Sequence, residues 1–241
     1  MRVLGVLRYP ESQVYYEPGM SNYRLDGASL IEGLPGIGLV GKVAVAYILG
    51  KVKAKKICRM YSPYFPSVAY ISDGRIIPNF TDFYAVEEPA KTIIMYGSAQ
   101  PSSSYGQYEF CEKVIELAKR HGATRVFTVG GLGGKEKISP RREIFCSSTD
   151  KKYLGKYLEL IDGQVYSGQI VGAVGILINI AGSKGLENMC MLVEIGESAP
   201  DYFAARRAAE ALIKLTGLNI EVDGVEEFMK LSNRVISMLE S

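Results

Sequence analysis

The run Glu32-Gly33-Leu34-Pro35-Gly36-Ile37-Gly38-Leu39-Val40-Gly41-Lys42 constrains this chain more than any other stretch. It follows a short apolar run at 28–31 and precedes a helical pattern with Val40, Val43, Ala44, Tyr47 and Ile48 on one face. The glycines therefore fall where a strand turns into a helix. There, backbone N–H groups can cradle an anion, and a bare Cα lets helix and sheet approach closely. Read as G-x-G-x-x-G, the motif uses Gly36, Gly38 and Gly41. The acidic residue that a ribose needs about 20 residues further on is absent from 57–62. Read as G-x-x-x-x-G-K-[ST], it runs from Gly36 to Lys42 and then meets Val43, which offers no hydroxyl to Mg²⁺. Three readings stay open: a structural turn with tight helix–sheet packing, an anion site made by Gly36, Gly38, Gly41 and Lys42, and a nucleotide site.

Composition narrows the function classes. The chain has 241 residues, enough for one large core, and one α/β domain over 1–241 is expected. A net charge of +2 gives no field that would gather nucleic acid. The basic run Lys51, Lys53, Lys55, Lys56, Arg59 alternates with apolar residues and reads as a solvated strand face. Cys58, Cys111, Cys146 and Cys190 are far apart with no C-x-x-C pair, so unpaired, mostly buried thiols in a reducing compartment are expected. The single histidine, His121, closes a helical pattern just before Gly122, where a cation would suit the helix dipole. One histidine so placed argues against histidine-rich zinc sites and Ser-His-Asp or Cys-His catalysis. No signal peptide opens the chain and no apolar run approaches the ~20 residues of a membrane span, so a cytoplasmic protein is expected. No catalytic residue, metal or cofactor is expected.

Strand and helix patterns alternate along the chain. An opening strand or hairpin is predicted within the first 27 residues, from Val3 to Leu7 and from Gln13 to Tyr16. Strands are predicted at 56–60, 68–71, 75–77 and 80–86, with Asp73-Gly74 as a hairpin turn, and at 92–96, 125–129 and 189–194. Helices are predicted at 111–120, within 171–181, after an N-cap at Asp201, and at 225–239. Residues 135–150 read as a polar loop with an apolar island at 144–146. The pattern predicts a three-layer α/β/α sandwich with a β-rich insertion at 61–86. Glycine- or serine-rich loops follow three predicted strands, at 33–41, 97–106 and 130–135. In an open α/β sheet that edge binds ligands, so Lys42, Gln100, Gly130, Gly131, Lys135 and Glu194 form a candidate pocket, with Arg141 and Arg142 able to close over it.

Four blocks in order resemble the proteasome assembly chaperone 2 family, most of all its archaeal members. They are Glu32 to Gly41, then Gly97-Ser98-Ala99-Gln100-Pro101, then Val129-Gly130-Gly131, then Leu192-Val193-Glu194 with Pro200-Asp201 and Ala204-Ala205. The resemblance spans roughly residues 30–220. It implies a fold similar to nucleoside phosphorylases and related hydrolases, a homo-oligomer, and a role in assembling the proteasome core particle. Some members end in a hydrophobic–Tyr–any-residue tail that docks between proteasome α-subunits. Here Glu240 stands at the tyrosine position, a departure that leaves tail docking without its motif and leaves a scaffold or assembly platform open.

Two functions of different class follow. The first is a non-catalytic chaperone or scaffold, with the aromatic segment Tyr61, Tyr64, Phe65, Tyr70, Phe80, Phe83, Tyr84 as contact surface. The second is an enzyme of small phosphorylated or nucleoside-like substrates, with Lys42 neutralising an anion and Glu194 serving as a base or binding a sugar hydroxyl.

Overall fold

The computed structural model describes residues 10–134, 138–196 and 199–241. The predicted strand at Val3 to Leu7 and the candidate Lys135 lie outside them. Four parallel strands form the centre of a mixed sheet: β2 (Ala28–Gly33), β7 (Thr92–Gly97), β8 (Ala123–Leu132) and β11 (Glu187–Glu194). On one side the sheet continues through β6 (Thr81–Val86), β3 (Lys55–Tyr61) and β1 (Gln13–Tyr16), all antiparallel. On the other, β9 (Ile144–Ser147) runs antiparallel to β11 and carries β10 (Gln164–Val165) at the edge. The order is β1-β3-β6-β7-β2-β8-β11-β9-β10. The expected insertion is smaller than predicted. Only β4 (Tyr70–Ser72) and β5 (Arg75–Ile77) leave the main sheet, joined at Asp73-Gly74 with both residues at positive φ, as a type I′ turn requires.

Successive residues on a strand face opposite sides, and the sheet's apolar runs supply both faces. Ile31, Ile94, Phe127, Val129, Met191 and Val193 join the core under α1 (Val40–Lys51), α3 (Lys151–Ile161), α5 (Tyr202–Thr216) and α6 (Val225–Leu239). Leu30, Ile93, Met95, Val126, Cys190 and Leu192 join the opposite core under α2 (Ser104–Arg120) and α4 (Ala173–Ser183). The single apolar face predicted for α1 proves too narrow. Every residue from Val40 to Ile48 is buried, because α1 packs against the sheet and beneath α5 and α6.

Three further departures have clear causes. The apolar island at 144–146 is a strand, because its neighbours β11 and β10 complete its ladder. Helix α3 had no predicted counterpart, although Asp150 caps it by accepting from Lys152 N–H. His121 does occupy the C-cap of α2, but not as a cation. It is 1% exposed, burial pushes its pKa down, and the ring Nδ1 lies 2.6 Å from the Tyr23 carbonyl, to which the neutral ring donates. All four cysteines are buried and unpaired. The basic run is paired rather than simply solvated: Arg59 and Lys56 both hold the buried Asp82, while Lys51 meets Asp223 and Lys55 meets Glu87. Within the aromatic segment, Phe80 and Phe83 are core, whereas Tyr70 is exposed.

Candidate functional site

The motif after β2 turns through a short 3₁₀ segment, Ile37–Leu39, before α1 begins. Gly38 takes φ +68° and Leu39 φ +52°, so the chain reverses through two left-handed residues. The glycines are needed for close approach. A Cβ on Gly41 would lie 2.7 Å from the Val129 carbonyl oxygen, and one on Gly33 would lie 2.6 Å from Val45 Cβ. A Cβ on Gly131 would collide with the Ile37 carbonyl, and one on Gly130 would press on Leu192. The loop thus beds α1 directly on β8. Gly36 differs: a Cβ there would meet nothing closer than Gln100 Nε2 at 3.8 Å.

Gln100 joins the loops. Its Nε2 donates to the Pro35 carbonyl at 2.7 Å, and its Oε1 accepts from Ala173 N–H, in the first turn of α4, at 3.1 Å. One side-chain amide therefore ties the loop after β2 to the loop after β7 and to the start of α4. The loop after β11 is held by Asp201. This buried N-cap of α5 accepts from Ala204 N–H and Gly196 N–H, while its own N–H donates to the Gly38 carbonyl. Arg142, largely buried and at φ +59°, lies 3.2 Å from the Asp201 carboxylate. Arg141 is exposed and pairs with Asp162, so the two arginines act apart.

The predicted pocket residues separate into groups. Gly36, Gly131 and Gln100 come together around the loop at 33–39. Glu194 is buried and turns to the segment after 138, accepting from Ser139 N–H at 2.9 Å and more weakly from Glu143 N–H. Lys42 leaves the loop altogether. Helix α1 carries it to the far end of α6, where Nζ lies 2.6 Å from Glu240 Oε1 and 5.8 Å from the centre of the Tyr96 ring.

Sequence reasoning passed over Glu32 as a chemical group. It is fully buried at the end of β2, just beyond the last paired residue between β2 and β8. Its Oε1 accepts from Leu34 N–H at 2.7 Å, and its Oε2 lies 3.3 Å from Val129 N–H, so the carboxyl fills the split between the strands. Burial pushes its pKa up to about 7, against the lowering effect of those two N–H groups. The signal was a carboxylate closing the run Ser29-Leu30-Ile31, where a buried strand would otherwise continue apolar. Among the described residues, no cluster of three or more His, Cys, Asp or Glu side chains could hold a metal ion. No helix among them is long and apolar enough to cross a membrane.

These residues build a mixed α/β protein whose carboxyl edge is closed by short loops hydrogen-bonded to one another. The chain belongs to the PAC2 family, which it matches over residues 30–239. It is 31% identical over 218 residues to an uncharacterised protein of Methanocaldococcus jannaschii, covering 90% of this chain and 84% of that one. Among solved structures it is similar to Pyrococcus furiosus PbaB, an archaeal proteasome activator, with a TM-score of 0.81 and 27% identity over 96% of this chain and 99% of the other. It is also similar to P. furiosus PbaA, an archaeal homologue of proteasome-assembly chaperone, with a TM-score of 0.71 and 25% identity over 95% of each chain.

Proposed function

We propose that this protein is a non-catalytic assembly chaperone or scaffold that acts on the proteasome core particle through protein–protein contacts. The supporting observation is the character of the carboxyl edge. Where an enzyme of this architecture opens a polar cleft, the loops bind one another, and several large apolar side chains stand outside them beside small polar residues such as Ser102 and Ser103. Ile37 follows β2, Tyr105 and Tyr108 begin α2 after β7, Val171 precedes α4, and Phe203 begins α5 after β11; all five are more than half exposed. Large apolar side chains gathered at one edge suit a protein partner better than water. The likeness to a proteasome activator and an assembly-chaperone homologue supports the proteasome as that partner. The reading includes a single α/β/α domain with phosphorylase-like layering, a homo-oligomer and a cytoplasmic location.

A second reading, a binding enzyme for nucleotide- or nucleoside-like molecules, draws on Glu32. A buried carboxyl with a raised pKa at the carboxyl end of a central strand is a common attribute of catalytic sites.

Native mass spectrometry of the tagged protein purified from its own cells separates the two. Co-purified proteasome α-subunits or assembly intermediates are the expected result. A protein free of such subunits that carries a retained small molecule, and whose melting point rises with a nucleotide, nucleoside or phosphate, would favour the enzyme.

A further inference from the structure

Lys42 is nine-tenths buried, and its counter-ion comes from the opposite end of the chain. A single oxygen, Glu240 Oε1, receives both the Lys42 ammonium at 2.6 Å and the Tyr96 hydroxyl at 2.7 Å. The ammonium also faces the Tyr96 ring, which lies on the sheet beneath it. Lys42 and Tyr96 sit on rigid elements, the first turn of α1 and strand β7, whereas Glu240 is the C-cap of α6, with its side chain a quarter exposed. The receptor is fixed, whereas the carboxylate lies more than one turn beyond Val235, the last buried residue of α6. A buried ammonium cannot be left unpaired without a large desolvation penalty, so the place demands a carboxylate from some source.

An apolar groove of about 300 Å³ adjoins this place. Leu49, Val52, Ala54 and Tyr84 form its floor, while Met238 and Leu239, the residues just before Glu240, line it from α6. Tyr84 is a neighbour of Tyr96 on the same face of the sheet, and the exposed Arg234 stands at the rim as a second cation. Leu239, partly buried against the core, and Glu240 therefore show which chemistry the surface accepts: an apolar side chain beside the groove and a carboxylate on Lys42.

We propose that Lys42 and Tyr96 form a carboxylate-binding site that Glu240 fills from within the chain, and that release of the last turn of α6 opens this site and its groove to an acidic–apolar peptide segment of a protein partner. Glu240 acts as a latch: attached, it covers the cation and keeps the last turn of α6 as one wall of the groove, and a competing segment of the same chemistry displaces it. This inference stands apart from the identity of the proteasome as partner, because it rests on the chemistry of the surface alone.

The test uses the full chain carrying Glu240→Gln, which keeps the shape and removes the charge. A fluorescent peptide with the sequence of residues 234–241 is the probe. It is expected to bind the variant at least about tenfold more tightly than the wild type, as loss of an internal competitor for a buried cation implies. Adding Lys42→Met to the variant should abolish binding, and a peptide with Gln in place of Glu240 should not bind. In parallel, the Lys42 amine should be acylated by a water-soluble active ester at least about tenfold faster in the variant. Equal peptide affinity for variant and wild type, or an unchanged acylation rate at Lys42 in a folded variant, overturns the latch. A variant that dimerises and loses the dimer on adding peptide would show α6 exchanging between copies, and would overturn the partner-segment reading.

Discussion

Replacing Glu32 with Gln tests how a buried carboxyl shapes the stability of the central sheet. In the folded chain Glu32 has no exposure and, among the described residues, no cation beside it, and burial pushes its pKa up to about 7 from an ordinary value of 4.5. Because the folded value is the higher one, the folded state keeps a proton that the unfolded state has lost. Its contribution to stability is full below about pH 4.5 and disappears as pH rises through about 7. At about 1.4 kcal/mol per pH unit, the loss across that window is about 3 kcal/mol. Glutamine carries no charge at any pH. Its carbonyl can still accept from Leu34 N–H, but its NH₂ then faces the Val129 N–H, a mismatch of about 1–2 kcal/mol. The variant should therefore be less stable than the wild type at pH 5, and the difference should shrink and change sign by about pH 8.5. Urea unfolding of both proteins at half-unit steps from pH 5 to 8.5 gives the curve directly. A difference that stays constant with pH would refute the reasoning, because it would mean that two N–H groups suffice to keep Glu32 ionised throughout.

Four shorter predictions accompany it. Gly41→Ala places a methyl 2.7 Å from the Val129 carbonyl oxygen and should lift α1 from β8, costing about 1–3 kcal/mol in urea unfolding. Gln100→Leu leaves the Pro35 carbonyl and the Ala173 N–H without their partner; about 2 kcal/mol of lost stability is expected, with faster amide exchange at the start of α4. Asp82→Asn removes the carboxylate that holds both Arg59 and Lys56 beside β6, and should lower stability by about 3 kcal/mol, read from the urea midpoint. Substituting Phe203 and Tyr108 with Ser should leave the melting point nearly unchanged, since both are more than half exposed, while reducing co-purification of the partner particle.

Much of the fold was legible because its signals are local. Residues 225–239 show an apolar stripe at helical spacing, and α6 has those bounds. The β4–β5 turn was legible from Asp73-Gly74, and the α5 cap from Asp201, because each depends on a few adjacent residues. Helix α3 has no predicted counterpart although its signal is also local: Asp150 precedes Tyr153, Leu154, Tyr157, Leu158 and Ile161 at helical spacing. The 144–146 island became a strand only when β11 arrived to pair with it, which no pattern within 135–150 records.

The site divides along the same line. The sequence by itself determined that glycine loops close the carboxyl ends of β2 and β8, since only a missing Cβ lets α1 approach Val129 and lets Ile37 pass over Gly131. It also determined that His121 would close α2, with Gly122 following at positive φ. Only the tertiary structure decided what the charged groups face. Lys42 follows the last glycine of a phosphate-loop pattern, yet its position in the first turn of α1 turns it toward Tyr96 and Glu240. Glu32 ends an apolar strand, yet the splitting of β2 from β8 leaves two N–H groups that only a buried carboxyl fills. Spacing along a chain sets which way a side chain leaves its own element. The charge it meets there comes from residues distant in sequence, and that is fixed by packing.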